Sequence, residues 1–126
     1  MAITTVNVAS PSNEKIYQDT SATNAVNAIK ASSTLIYYII IDNSLNVASS
    51  YFKAFNLASG SVTLGTTAPD FIQYVPASSI VTIPFFTSAA NGVTFGTALS
   101  YAVVTTGGTA GNTGPSSAVT LTVSYV

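Results

Sequence analysis

The last nine residues, Ala118–Val126, read A-V-T-L-T-V-S-Y-V and alternate apolar with hydroxylated side chains without a break. Successive side chains on a strand point to opposite faces. The pattern therefore predicts a β-strand with Val119, Leu121, Val123 and Tyr125 on a buried face and Thr120, Thr122 and Ser124 on a wetted one. The rest of the chain is written in the same residues, Val, Ile, Thr, Tyr and Phe, and no segment keeps a helical period over three turns. A fold built from strands is the consequence.

Upstream, Thr34–Ile41 (T-L-I-Y-Y-I-I-I) is apolar on both faces and β-branched or aromatic at most positions, which predicts a central strand covered on both sides. Asp42-Asn43-Ser44 ends it with a turn signature, and Leu45–Ser49 is a short connection. Tyr51–Leu57 again carries aromatics on both faces and predicts an interior strand. Further strands are expected at Val26–Ala31, where the Ala content also permits a helical turn, and at Phe71–Val75, Ile80–Phe86, Val93–Phe95 and from Leu99 to Val104, with a brief segment at Val62–Leu64. Pro84 has no N–H for a ladder, so its end of the strand belongs at a sheet edge or a bulge. Asn91-Gly92 marks a tight turn, and Thr105–Ser117 is a long turn-rich loop.

About eight short strands at regular spacing predict an all-β fold, a two-sheet antiparallel β-sandwich, jelly-roll-like or immunoglobulin-like, with the connectivity open. At 126 residues the chain is one domain that can bury roughly two thirds of its unfolded surface. Its division is expected as residues 1–24, an N-terminal arm, and residues 25–126, the sandwich. Pro11 and the polar runs Ser12-Asn13-Glu14 and Gln18–Asn24 interrupt the thin apolar content of the arm, and Gln18–Asn24 reads as loop. Ile16 and Tyr17 are the arm's expected assembly contacts.

Composition narrows the chemistry. Charged residues are 6% of the chain, against a usual share of about 25%, and the net charge is -1. With no Arg and only Lys15, Lys30 and Lys53, there is no basic stripe for phosphates, so nucleic acid is not an expected partner. His and Cys are absent, which removes the commonest metal ligands and activated nucleophiles. The four acids Glu14, Asp19, Asp42 and Asp70 sit in no catalytic motif; Asp42 reads as a turn-forming residue, and Asp70, at the start of a strand, as a local hydrogen-bond partner of the backbone. The glycines of 107–114 lead into Pro115 and a strand rather than into the Lys-Ser/Thr and helix of a phosphate loop. No enzyme activity, catalytic residue, cofactor or metal is expected. The most apolar run, Leu35–Ile41, falls far short of the ~20 residues of a spanning helix, and the N-terminus lacks the basic and apolar regions of a secretory signal. A protein made and kept inside the cell, without a membrane partner, is the expectation. The seven tyrosines offer an apolar face and a hydroxyl each, the ingredients of a sugar-stacking surface, although most fall within strands.

From Pro69 onward the chain resembles small structural proteins of tailed bacteriophage virions. The resemblance is carried by V-P-A-S-S-I-V-T-I-P-F at Val75–Phe85, F-G-T-A-L-S at Phe95–Ser100, and the Gly-rich loop before the alternating terminal strand. Ile41-Asp42-Asn43-Ser44 followed by Tyr51-Phe52-Lys53 is similar to the earlier half of such proteins, so that about three quarters of the chain is covered. The resemblance implies a capsid cement (decoration) protein or a small head or tail component. Its partners would be the major capsid protein and copies of itself, as a homo-oligomer of trimer type. It would be made in the host cytoplasm and carried on the capsid surface of the virion. A surface-displayed glycan-binding or tail and neck adhesion module is the alternative.

Overall fold

The computed structural model describes residues 14–85 and 92–126. Nine strands form among them: β1 (Lys15–Ala22), β2 (Asn27–Lys30), β3 (Thr34–Asp42), β4 (Ser50–Phe55), β5 (Phe71–Val75), β6 (Ile80–Pro84), β7 (Val93–Phe95), β8 (Leu99–Val104) and β9 (Val119–Tyr125). A 3₁₀ turn at Ser59–Ser61 lies between β4 and β5. The front sheet runs β1-β9-β3-β6, with β7 pairing the first residues of β3 on the same edge as β6; the back sheet runs β2-β8-β4-β5. Every pairing is antiparallel. With the short β7 set aside, the chain alternates between sheets except at the β4–β5 hairpin, and the two orders are those of a jelly roll.

The core lies between the sheets. From the front come Ile36, Ile39 and Ile41 of β3 and Val119, Leu121 and Val123 of β9; from the back come Phe52 and Ala54 of β4, Val75 of β5, and Leu99, Tyr101 and Val103 of β8. Aromatic contacts tie the sheets at both sides. Tyr17 of β1 meets Tyr101 of β8 edge to face at 5.8 Å between centroids. Phe71 of β5 meets Phe85, just past β6, at 5.7 Å. Phe52 stacks on Tyr101 between these ties. Such pairs add about 0.5–1.5 kcal/mol each beyond their burial, and here they also fix how one sheet sits over the other.

Val119, Leu121 and Val123 are fully buried as the alternation requires, and Pro84 ends an edge strand. Several details differ. Ser124 is fully buried rather than wetted, because its hydroxyl donates to the Glu14 carboxylate. Tyr38 and Ile40, on the outer face of β3, are half-buried, so the cover expected on that side of β3 is only partial. No strand forms at Val62–Leu64, where turns follow the 3₁₀ turn.

The largest difference is at Gln18–Asn24, expected as loop. Strand β1 runs through Ala22 and pairs with β9 from Lys15↔Tyr125 to Ala22↔Val119. Pairing satisfies the backbone of these polar residues, Gln18 and Thr20 face outward, and the inward Asp19 accepts a 2.5 Å hydrogen bond from the Tyr101 hydroxyl. The part of the expected arm from Lys15 to Ala22 is therefore a built-in edge strand. Residues 1–13 of the expected arm, and the readings made at Phe86 and Asn91, lie outside the described residues.

Candidate interaction surface

Among the described residues, the end of the sandwich where β3 passes to β4 and β5 passes to β6 carries the most exposed apolar side chains. In the β3–β4 loop Leu45 is 71% and Val47 90% exposed, and Ile80, opposite Asp42 at the start of β6, is 59% exposed. Pro76, Ala77 and Ala48 are exposed in the same loops. The neighbouring charge is Asp42, whose carboxylate accepts the Ser44 N–H at 2.9 Å and is held below its usual pKa by hydrogen bonds to Ser44.

Beneath these side chains is a buried polar hub. The Asn43 amide donates to the carbonyls of Ala48 (3.1 Å) and Pro76 (3.0 Å), while its oxygen accepts from the Asn46 amide and the Ser50 hydroxyl, both at 2.9 Å. Asn46 donates onward to the Ser117 carbonyl at 3.0 Å and accepts the Ser117 N–H at 2.8 Å. The loop backbones join directly as well, Ser78 N–H to the Asn46 carbonyl and Asn43 N–H to the Ser79 carbonyl. Three loops, from the β3–β4, β5–β6 and β8–β9 connections, are thus locked by two asparagines whose polar atoms are all satisfied. The result is a rigid tip that projects Leu45 and Val47 into water.

Part of the outer face of the back sheet, over β4 and β8, is covered by loops. Phe55, Ala102 and Val104 are buried there, and so is Lys53, at 0% exposure. Its ammonium donates to the Gly111 carbonyl at 2.6 Å and the Thr109 carbonyl at 3.4 Å, so peptide dipoles of the Gly-rich loop rather than a carboxylate hold the charge. Gly111 is needed for that approach, since a Cβ would overlap the Thr106 carbonyl oxygen. Burial pushes the Lys53 ammonium below its ordinary pKa. The unfolded chain therefore holds this proton more tightly than the folded one. The linked stability is complete above the unfolded value near 10.4 and is lost as pH falls through the lowered folded value. The stability of the wild type in urea, taken relative to that of Lys53→Met, should rise as pH increases toward the unfolded value; parallel profiles would show that the fold does not lower the pKa of this amine.

Of the two residues expected as assembly contacts, Ile16 faces outward at 56% exposure, and Tyr17 turns inward, packs against the core and shares a 2.9 Å hydrogen bond with the Tyr101 hydroxyl. Burial and the hydrogen bond to Asp19 raise the Tyr101 pKa far above its ordinary value, so it stays a neutral donor. Asp70 accepts the Asn56 N–H at 2.6 Å, a backbone bond as expected but across the β4–β5 connection. No group of three acidic, His or Cys residues is placed to hold a metal among the described residues. The hub and the buried lysine went unread in the sequence. The available signals were a lone Lys inside an aromatic run and two Asn three residues apart after a core strand. No known family, curated protein or solved structure matches the chain.

Proposed function

We propose that the protein is a virion structural component of the capsid cement (decoration) type. It would stabilise a phage head by apolar and neutral hydrogen-bonded contacts to the major capsid protein and to copies of itself, as a trimer in the simplest arrangement. The observation that carries this reading is the tip: large apolar side chains held in water by an internal polar framework, on a molecule with almost no charge. The motif resemblance at Val75–Phe85 and Phe95–Ser100 points the same way. A pre-ordered loop loses little further freedom when it docks, so more of the burial energy appears as affinity. Burying a Leu and a Val side chain contributes about 1.5–3 kcal/mol each, enough together for roughly a hundredfold in affinity or more.

The test is co-sedimentation with purified empty capsids of the encoding phage. Wild-type protein is expected to pellet with the shells. The double variant Leu45→Ser/Val47→Ser is expected to bind at least about a hundredfold more weakly, with an unchanged melting temperature because both side chains are already exposed. Failure of the wild-type protein to bind at all would remove the capsid reading; equal binding by the variant would move the contact away from the tip.

A further inference from the structure

On the outer face of the back sheet, beside the loop that covers Lys53, two tyrosines are left open. Tyr51 of β4 and Tyr74 of β5 are directly opposite in the ladder, with ring centroids 5.3 Å apart and planes tilted by 60°. Tyr74 is 49% exposed and Tyr51 half-buried. The Tyr51 ring is backed by the Gly-rich loop at Gly107, where a Cβ would lie 2.8–3.2 Å from three ring atoms. Glycine at that position lets the loop backbone rest on the ring and hold it. Ile72, 37% exposed, extends the same face along β5. Neither hydroxyl is hydrogen-bonded within the described residues, although elsewhere the Tyr17 and Tyr101 hydroxyls are paired. The loop residues beside them, Gly108, Thr109 and Ala110, are exposed, and the adjacent cation, Lys53, is turned into the loop carbonyls.

We infer that Tyr51, Tyr74 and the Gly107–Ala110 loop form a binding site for a neutral saccharide. A sugar ring offers what this site complements: a C–H face to lie on the open Tyr74 ring and hydroxyls to bond the two free phenols and the loop backbone. Aromatic rings with a polar tip supply contact area with little loss of freedom. Charge decides against the other ligands that stack on tyrosine. A nucleotide or an acidic sugar brings a negative charge, and here the adjacent ammonium is buried and already bonded. The inference is independent of the capsid reading and uses the opposite flank of the molecule from the β1 edge.

The experiment is a screen of the intact protein against an array of neutral gluco-, manno- and galacto-oligosaccharides, followed by NMR titration of the strongest hit up to about 10 mM, a range that reaches weak single-site binding. Binding with chemical-shift changes at Tyr51, Tyr74 and 107–110 is expected. Tyr74→Ala should weaken it at least about tenfold and Tyr74→Phe by about threefold, separating ring stacking from the hydroxyl. Tyr38→Ala, on the front sheet, should leave it unchanged. Absence of binding to every neutral glycan, binding restricted to acidic ones, or full binding by Tyr74→Ala would each overturn the inference. Capsid co-sedimentation of Tyr74→Ala should equal that of wild type, so failure of one reading is distinguishable from failure of the other.

Discussion

Val123→Asp is expected to abolish folding. Val123 is fully buried on β9, flanked across the ladders by Tyr17 of β1 and Ile39 of β3, and faces the core between the sheets. A carboxylate there has no cation to meet, and its desolvation costs several kcal/mol even after relaxation. A domain of this size is stable by only about 5–15 kcal/mol, and the same substitution also removes the packing of the valine methyls. Far-UV circular dichroism and solubility report the outcome, with Val123→Ala as the companion that should fold and melt lower, having lost about 2 kcal/mol of burial and packing. A soluble Val123→Asp protein with the wild-type melting temperature would mean that β9 is not core.

Asn43→Ala carries the next largest effect. The substitution leaves the Ala48 and Pro76 carbonyls, the Asn46 amide and the Ser50 hydroxyl short of a partner at once. Each buried group left unsatisfied costs about 1–3 kcal/mol, reduced where water can enter at the loop ends, so a total loss of about 3–5 kcal/mol is expected in urea denaturation. Ser50→Ala, which removes one donor to the hub, should lose about 1 kcal/mol. Asn43→Ala also bears on the proposed function: with the hub gone, Leu45 and Val47 lose their fixed placement, and the proposed capsid affinity should fall although Asn43 itself is fully buried. A loss under about 1 kcal/mol for Asn43→Ala would show that the loops are held by their backbone bonds alone.

The elements legible in the sequence were those whose own alternation matches their burial. Val119, Leu121 and Val123, and the doubly apolar run of β4, announce a sandwich because the apolar pattern and the tertiary environment agree. Strand β1 was illegible for the opposite reason. Asp19, Thr20 and Ser21 favour turns locally, and only the Tyr101 hydroxyl, 82 residues away in sequence, makes an inward Asp19 tolerable in a strand. The doubly apolar β4 did signal cover on the outer face of the back sheet. What covers it, a glycine loop held by a lysine ammonium, depends on contacts between residues more than fifty positions apart, such as Lys53 with Gly111. Asn43 could be read as a turn residue, and it does end a strand at a turn. Its role in joining three loops depends on where the β5–β6 and β8–β9 connections arrive, which no local pattern encodes. Ile16 and Tyr17 were adjacent apolar residues without a visible face; once β1 is a strand, adjacency itself sends one outward and the other into the core.

The proposed adhesion to a capsid works by apolar burial and neutral hydrogen bonds, with charge playing no part. Salt separates that mechanism from its rival. At 1 M the Debye length shrinks to about 3 Å and exposed ion pairs weaken, while apolar burial is left intact or slightly favoured. The chain brings only three cations and four anions to any interface, and one of the cations is buried. The measurement is the amount of wild-type protein that sediments with purified empty capsids at low salt and at 1 M salt. Equal retention at both is the predicted result; binding at low salt that is released at 1 M would contradict the account.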